Sequence, residues 1–330
     1  MTHLRWGILG ASKFARDQMG PALNAARRGK LVALATSSAD KAVPFDAFAT
    51  GITVYDSYEA LITSPNVDAV YIPLPNHLHV EWASKAMDAG KHVLVEKPLA
   101  MHASEFDQVI AKRDATGLLA AEAYMIVHHP QWLRAKALYE AGAIGKLVRV
   151  SGAFSYDNSA DVSNIRHDPS KGGGAIPDIG VYIYGAARFV TGEEPDEILS
   201  TDIRRENGVD VWSHVTARFP SFHYTGVVSM RMAPWQEMVF HGEKGVMRLS
   251  APFNANLYGE ARIELQTQGD DGPEVQAIRY PADNHYVHQV EAFNGSVLDG
   301  VAYPCPLEFS KGTQNMIDMV WAKDNAEARL

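Results

Sequence analysis

Cysteine is nearly absent: Cys305 is the only one among 330 residues. That excludes an intrachain disulfide and any cluster of thiolate metal ligands. No stretch approaches the roughly 18 consecutive apolar residues that a membrane-spanning helix needs. Positive charge is also short, with 30 Lys and Arg against 39 Asp and Glu and a formal net charge of −9. Such a balance argues against a surface built to neutralise nucleic-acid phosphates. The chain enters a strand-like run, Leu4–Leu9, almost at once. That leaves no room for the charged, apolar and cleavage segments of a leader, so a cytoplasmic location is the expectation. Internal repeats and low-complexity tracts are missing too. What is present, 46% hydrophobic and 21% charged residues, is ordinary for a globular protein. At roughly 150 residues per domain, the length predicts two domains.

Up to about residue 123, strand-like and helix-like segments alternate. Short runs rich in Val, Ile, Leu and Ala occur at Arg5–Leu9, Lys30–Thr36, Ala69–Ile72, His92–Val95 and Leu118–Ala121. Helical spacing separates them, as in Phe106, Val109 and Ile110. This alternation predicts βαβ units, hence a parallel sheet with helices on both faces and right-handed connections. After a helix predicted over Gln131–Ala141, period-two runs dominate: Val148–Phe154, Glu197–Arg204, Val211–Phe219, Tyr224–Met232, Val246–Leu249, Arg262–Gln266 and Val275–Tyr280. Strands in series with short polar turns predict a largely antiparallel sheet. Helices are predicted over Tyr286–Leu298 and Lys311–Ala326. The expectation is a doubly wound α/β domain over 1–123. An α+β domain with a large, mostly antiparallel open sheet should cover 124–330.

The first strand runs into Gly10-Ala11-Ser12-Lys13-Phe14-Ala15, a variant of the G-x-G-x-x-G/A turn that cradles a dinucleotide. Gly10 supplies the tight turn, Ala15 allows close helix–strand packing, and the helix N-terminus opened by Lys13 and Phe14 can receive a pyrophosphate. Ser12 replaces the second glycine and offers a hydroxyl donor instead. By itself such a turn also fits a plain strand–helix connection. The second strand ends Thr36-Ser37-Ser38, with Lys41 one turn on. No carboxylate stands there to accept from a ribose 2′-hydroxyl, and Ser37, Ser38 and Lys41 suit a 2′-phosphate, so NADP is predicted over NAD. Ser38 or Asp40 could equally serve as a helix N-cap.

Three later motifs add to this: Pro73-Leu74-Pro75-Asn76-His77-Leu78-His79 after one strand, Glu96-Lys97-Pro98 after another, and Arg166-His167-Asp168-Pro169 ahead of Gly172–Tyr182. In this order they resemble the glucose–fructose oxidoreductase/inositol dehydrogenase family (Gfo/Idh/MocA), over residues 4–192 and again over 286–299. The resemblance implies a Rossmann domain, then an α+β domain whose open sheet mediates assembly as a homodimer or homotetramer. It implies Lys97 as catalytic lysine, with Asp178 and Tyr182 completing an Asp-x-Gly-x-Tyr element. This element is similar to that of dihydrodiol dehydrogenases and NADP-dependent D-xylose dehydrogenases. It further implies cofactor contacts from Pro73, Pro75, Asn76, His79, Glu96, Lys97 and Arg166, a cis Lys97–Pro98 bond, and a substrate pocket shaped by Tyr124, His129 and Arg166. The chain departs from the family where Ser37 replaces a frequent Arg, and where Val127-His128 replaces Arg-Phe before His129-Pro130.

A lysine ending a parallel strand points into the crevice where such folds work, and its ammonium can stabilise a developing alkoxide. A free tyrosine titrates near 10, so Tyr182 needs a neighbouring cation to carry a proton near neutrality. A helix over Ile179–Val190 would put Tyr182 one turn beyond Asp178, on the same face, with Asp178 as its cap. The histidine pairs His77/His79 and His128/His129 lack i, i+4 spacing and a third ligand, so no metal is expected. The reading is an NADP-dependent oxidoreductase acting on a CH–OH or C=O carbon of a sugar, polyol, sugar derivative or dihydrodiol. The alternative is a dinucleotide sensor on the same fold, which would have no need of a lysine–aspartate–tyrosine set.

Overall fold

The computed structural model describes residues 2–255 and 257–327. The chain divides into two compact units, one of residues 1–128 and 284–311 and one of 129–283 and 312–330.

The first unit is built on six parallel strands: β1 (Leu4–Leu9), β2 (Gly29–Ala35), β3 (Thr53–Tyr55), β4 (Ala69–Ile72), β5 (His92–Val95) and β6 (Ala120–Glu122). Their order, β3-β2-β1-β4-β5-β6, is that of the Rossmann fold, with its switch point between β1 and β4. The central strands are buried on both faces and so read as continuous apolar runs, as in Ala69–Ile72. The crossovers carry α1 (Gly20–Ala25, entered through a π-helical turn at Ala15–Met19), α2 (Tyr58–Ile62), α3 (His79–Asp88) and α4 (Glu105–Thr116).

The division differs from the expected 1–123 and 124–330. Residues 284–311 return to the Rossmann sheet, because Trp6 packs on Phe293 with ring centroids 4.8 Å apart and Trp6 Nε1 donates to Asn294 Oδ1 at 3.0 Å. A contact spanning 288 positions leaves no local signal.

In the second unit, α5 (Pro130–Glu140) precedes an eight-stranded sheet. Its strands are β7 (Leu147–Asp157), β8 (Glu197–Glu206), β9 (Val209–Arg218), β10 (His223–Ser229), β11 (Arg231–Gly242), β12 (Gly245–Ser250), β13 (Ala261–Gly269) and β14 (Gly272–Tyr280). The order is β14-β13-β12-β11-β7-β10-β9-β8. β7 and β10 run parallel, and every other pair is antiparallel. The helix α6 (Val181–Thr191) lies on one face. The remaining helices are α7 (His285–Asp299) and α8 (Leu307–Glu327), and the boundary between the units falls within α8. No helix among the described residues is long and apolar enough to cross a membrane.

Two features seat α6 on the sheet. Gly152 and Gly226 stand side by side in the β7–β10 pair, and a Cβ on either would press against the Ile183 side chain, at 3.1 and 2.9 Å. Ile183 neighbours Tyr182 on α6. Substituting both glycines by alanine should overpack the contact and destabilise the chain by about 1–3 kcal/mol, measured by denaturant unfolding. An unchanged midpoint would show that the layer can yield.

Candidate active site

At the carboxyl edge of the parallel sheet, the turn after β1 has the form the dinucleotide motif requires. Gly10 takes φ +99°, a conformation that favours glycine. Ala15 is fully buried, and Ser12 Oγ accepts the Ala15 N–H at 3.1 Å, keeping its own hydroxyl proton to donate. Phe14 lies edge-on to Tyr286, and Lys13 is exposed at the helix start. After β2, Ser37 and Lys41 are exposed, while Ser38 stands at the N-cap of a short 3-10 turn without a side-chain capping bond. These residues fit a dinucleotide bearing a 2′-phosphate: hydroxyls and an ammonium are presented where a carboxylate would repel it.

The Lys97 segment is fastened at three points. Tyr71 Oη donates to Glu96 Oε1 at 2.6 Å, and burial raises the Glu96 carboxyl above its usual range. His79 places Nδ1 at 2.8 Å from the Pro98 carbonyl oxygen and Nε2 at 2.7 Å from that of Leu74. Leu99 N–H donates to Glu122 Oε1 at 2.8 Å. The Lys97–Pro98 bond is cis, as the resemblance implied. His79, however, is fully enclosed, and its pKa is pushed down to about 4 by burial, against the pull of the two carbonyls. Its side chain ties the Pro73–Asn76 turn to the lysine segment; the expectation that it faces a cofactor gives way to this bracing role. Pro73, Pro75 and Asn76 are half-buried in that turn, with Asn76 opening a 3-10 turn.

In the second unit a cluster gathers around Asp178, which is 9% exposed. Tyr156 Oη donates to Asp178 Oδ2 at 2.6 Å, and Arg166 Nε lies 2.7 Å from the same oxygen. The charge of Asp178 holds the Arg166 guanidinium above its ordinary pKa, with Tyr156 and Tyr182 adding to the effect. Burial and the same carboxylate keep Tyr156 protonated well above the usual tyrosine range. Tyr182, 6% exposed, packs in an aromatic group with Phe154 and Phe253, at centroid distances of 5.8 and 5.6 Å.

Three expectations change here. Asp178 is not an N-cap: the helix begins earlier, in a π-helical turn over Ile176–Gly180, and Gly180 precedes α6. Tyr124 is 1% exposed and packs against Phe309, a core position rather than a pocket wall. His129 is buried, and its Nδ1 caps α5 by accepting the Gln131 N–H at 3.0 Å. Tyr156 was not anticipated: it lies two residues beyond the strand expected over Val148–Phe154, which the structure extends to Asp157. No sequence signal marks it; in the structure β11 bulges between Arg231 and Trp235 opposite this part of β7, and bulges often re-aim side chains beside functional sites.

A 3-2-1-4-5-6 parallel sheet with a glycine turn, joined in sequence to a mostly antiparallel sheet that carries a Tyr–Asp–Arg cluster, defines a dinucleotide-binding oxidoreductase. The chain belongs to the Gfo/Idh/MocA family. The family model for the oxidoreductase NAD-binding Rossmann fold matches residues 4–124, and that for the GFO/IDH/MocA C-terminal domain matches residues 132–248. An oxidoreductase of Rhizobium meliloti is 36% identical, covering 97% of this chain and 96% of its own length. A D-xylose 1-dehydrogenase (NADP(+)) of Haloferax volcanii is 34% identical, covering 96% of each. Among solved structures, a 3-ketoreductase of Actinomadura kijaniata in complex with NADP and TDP-benzene superposes with a TM-score of 0.89, at 28% identity and 98% coverage of both chains.

Proposed function

We propose that the protein is an NADP-dependent oxidoreductase that interconverts a CH–OH and a C=O group on a sugar, polyol, sugar derivative or dihydrodiol, with Lys97, Asp178 and Tyr182 as its working residues. The observation that carries this reading is the Asp178 cluster: a carboxylate bonded by Tyr156 and Arg166 one helical turn before a largely enclosed tyrosine. Bound NADP(H) would supply or accept the hydride. Tyr182 takes the hydroxyl proton in the oxidative direction and returns it in reduction, a role that calls for a cation to favour the phenolate. The Lys97 ammonium donates to the substrate oxygen and stabilises the charge that develops on it. Asp178 orients these partners, and Arg166 fixes Asp178. The similar D-xylose 1-dehydrogenase (NADP(+)) and the 3-ketoreductase solved with NADP support both the substrate class and the cofactor.

Gly10, Ser12, Lys13, Phe14 and Ala15 would hold the pyrophosphate, and Ser37, Ser38 and Lys41 the 2′-phosphate. Pro73, Pro75, Asn76 and Glu96 would line the nicotinamide side. We also read the face of the large sheet that carries Ser151, Ala153, Val227 and Val239, all half-buried, as the contact for a homodimer or homotetramer. Oxidation of aldoses, inositols and dihydrodiols with NADP, and reduction of keto sugars with NADPH, tests the activity. The cofactor assignment has its own test, in titration by fluorescence quenching. NADPH should bind more tightly than NADH, and Lys41→Ala should weaken NADPH alone by about 10–100-fold, the range of a charge-assisted contact. Equal affinities in the unaltered protein would remove the 2′-phosphate role of this loop.

A further inference from the structure

Asp210 is a buried carboxylate, 4% exposed, that the oxidoreductase reading leaves without a task. It is delivered by a tight hairpin: β8 and β9 are joined through Asn207 and Gly208, both at positive φ (51° and 85°), which sets Asp210 opposite Arg205. Its Oδ2 accepts the Ile176 N–H at 2.7 Å, and the Ala175 amide also favours its charge. Ile176 opens the π-helical turn that contains Asp178 and leads into α6 with Tyr182. Ala175, the residue before that turn, makes no side-chain capping bond. The amides at the start of a helix need an acceptor and favour negative charge, and here a neighbouring strand provides both.

Gly174 completes the arrangement. It takes φ +126°, and a Cβ there would overlap Asp210 Oδ1. The glycine thus clears the space in which the carboxylate meets the helix start, and its N–H donates to the Arg166 carbonyl oxygen at 3.0 Å. One short segment therefore joins Arg166, the Asp210 anchor and Asp178.

We infer that Asp210 is a positioning residue for the active site: its carboxylate fixes the first turn of the helix that presents Asp178 and Tyr182. The inference rests on the reading of those two residues as the working groups. Burial raises the Asp210 pKa to about 6, against the Ile176 and Ala175 amides and the Arg205 charge, which lower it. The titratable groups facing it are Arg205 of β8, itself bonded to Asp324 of α8, and Tyr184 of α6. A carboxyl whose folded pKa is raised stabilises the fold most below its unfolded value, and that contribution is lost as pH rises through about 6. Near neutrality the ionised anchor is therefore kept at a cost to stability, as expected of a group retained for positioning.

Asp210→Asn keeps the shape but replaces one acceptor oxygen by a donor, and Asp210→Ala removes both. In the full-length protein, turnover should fall about tenfold in the Asn variant and about 10²-fold in the Ala variant, the scale of a misplaced catalytic group. NADPH affinity should not change, and the melting temperature of Asp210→Asn at about pH 8 should stay within a few degrees of the parent. The acid limb of the parent's pH profile near 6 should be absent in Asp210→Asn. Amide hydrogen exchange of Ala175, Ile176 and Asp178, the residues of 175–178 that carry an amide hydrogen, gives a readout that needs no substrate once corrected for intrinsic rates. It should speed up about tenfold or more in Asp210→Ala, and in the parent as the pH falls through about 6. A parent protein inactive on every sugar offered would remove the oxidoreductase reading, while the exchange result would still decide the anchor. Unchanged protection of 175–178 in Asp210→Ala, or full turnover with the acid limb intact in Asp210→Asn, would overturn the inference.

Discussion

Tyr182→Phe should lower turnover by about 10²–10⁴-fold, the contribution of a positioned acid or base, with NADPH affinity and fold intact. The expectation of an intact fold comes from the surroundings. Tyr182 is held by ring contacts with Phe154 and Phe253, and phenylalanine keeps the ring while deleting a single oxygen. A loss confined to kcat would therefore report chemistry rather than packing. Steady-state kinetics on the best substrate, with a parallel cofactor titration, separates the two. Full activity in the variant would mean that the proton leaves through another group.

Lys97→Met should be comparably damaging, by about 10²–10³-fold in kcat, the scale of a lost electrostatic stabiliser. Methionine retains the apolar stem, so the segment should keep its course. That course is fixed independently of the ammonium, by Tyr71 on Glu96, by His79 on the Pro98 carbonyl and by Glu122 on the Leu99 amide. If Lys97 and Tyr182 serve one proton and one oxygen, the losses in the double variant should fall short of multiplying. Multiplicative losses would show two independent contributions.

The Rossmann half was legible because its signals are local. Central parallel strands are apolar runs, the glycine turn sits between strand and helix, and the expected cofactor loop after β2 lies exposed at the strand end. The ends of Ala69–Ile72 and His92–Val95 agree with the structure residue for residue. Elements without local signals were missed. β3 is a three-residue edge strand, and β11 contains Pro234 and a bulge that break its alternation, so only its first residues joined the run beginning at Tyr224.

The same distinction holds in the site. Lys97, Asp178 and Tyr182 stand in motifs that can be read along the chain, and Arg166 was placed near them by the same resemblance. The partners that give Asp178 its setting come from β7 and β9, far off in sequence: Tyr156, on the same carboxylate, and Asp210, at the start of its helix. Asp178 was expected to cap a helix because a short acidic residue ahead of an apolar run is what a cap looks like. Only the fold reveals that the helix starts earlier and that its acceptor is a carboxylate 34 positions away.

The central claim is that a hydride passes between the nicotinamide and a substrate carbon. Its most direct measurement is isotope transfer: NADPH deuterated at C4 is incubated with the protein and a panel of keto sugars, and the products are read by mass spectrometry. The account predicts deuterium on the new carbinol carbon of at least one product, with its formation suppressed in Tyr182→Phe. Tight NADPH binding with no deuterium in any product would contradict it and would favour a protein that senses the dinucleotide without turning it over.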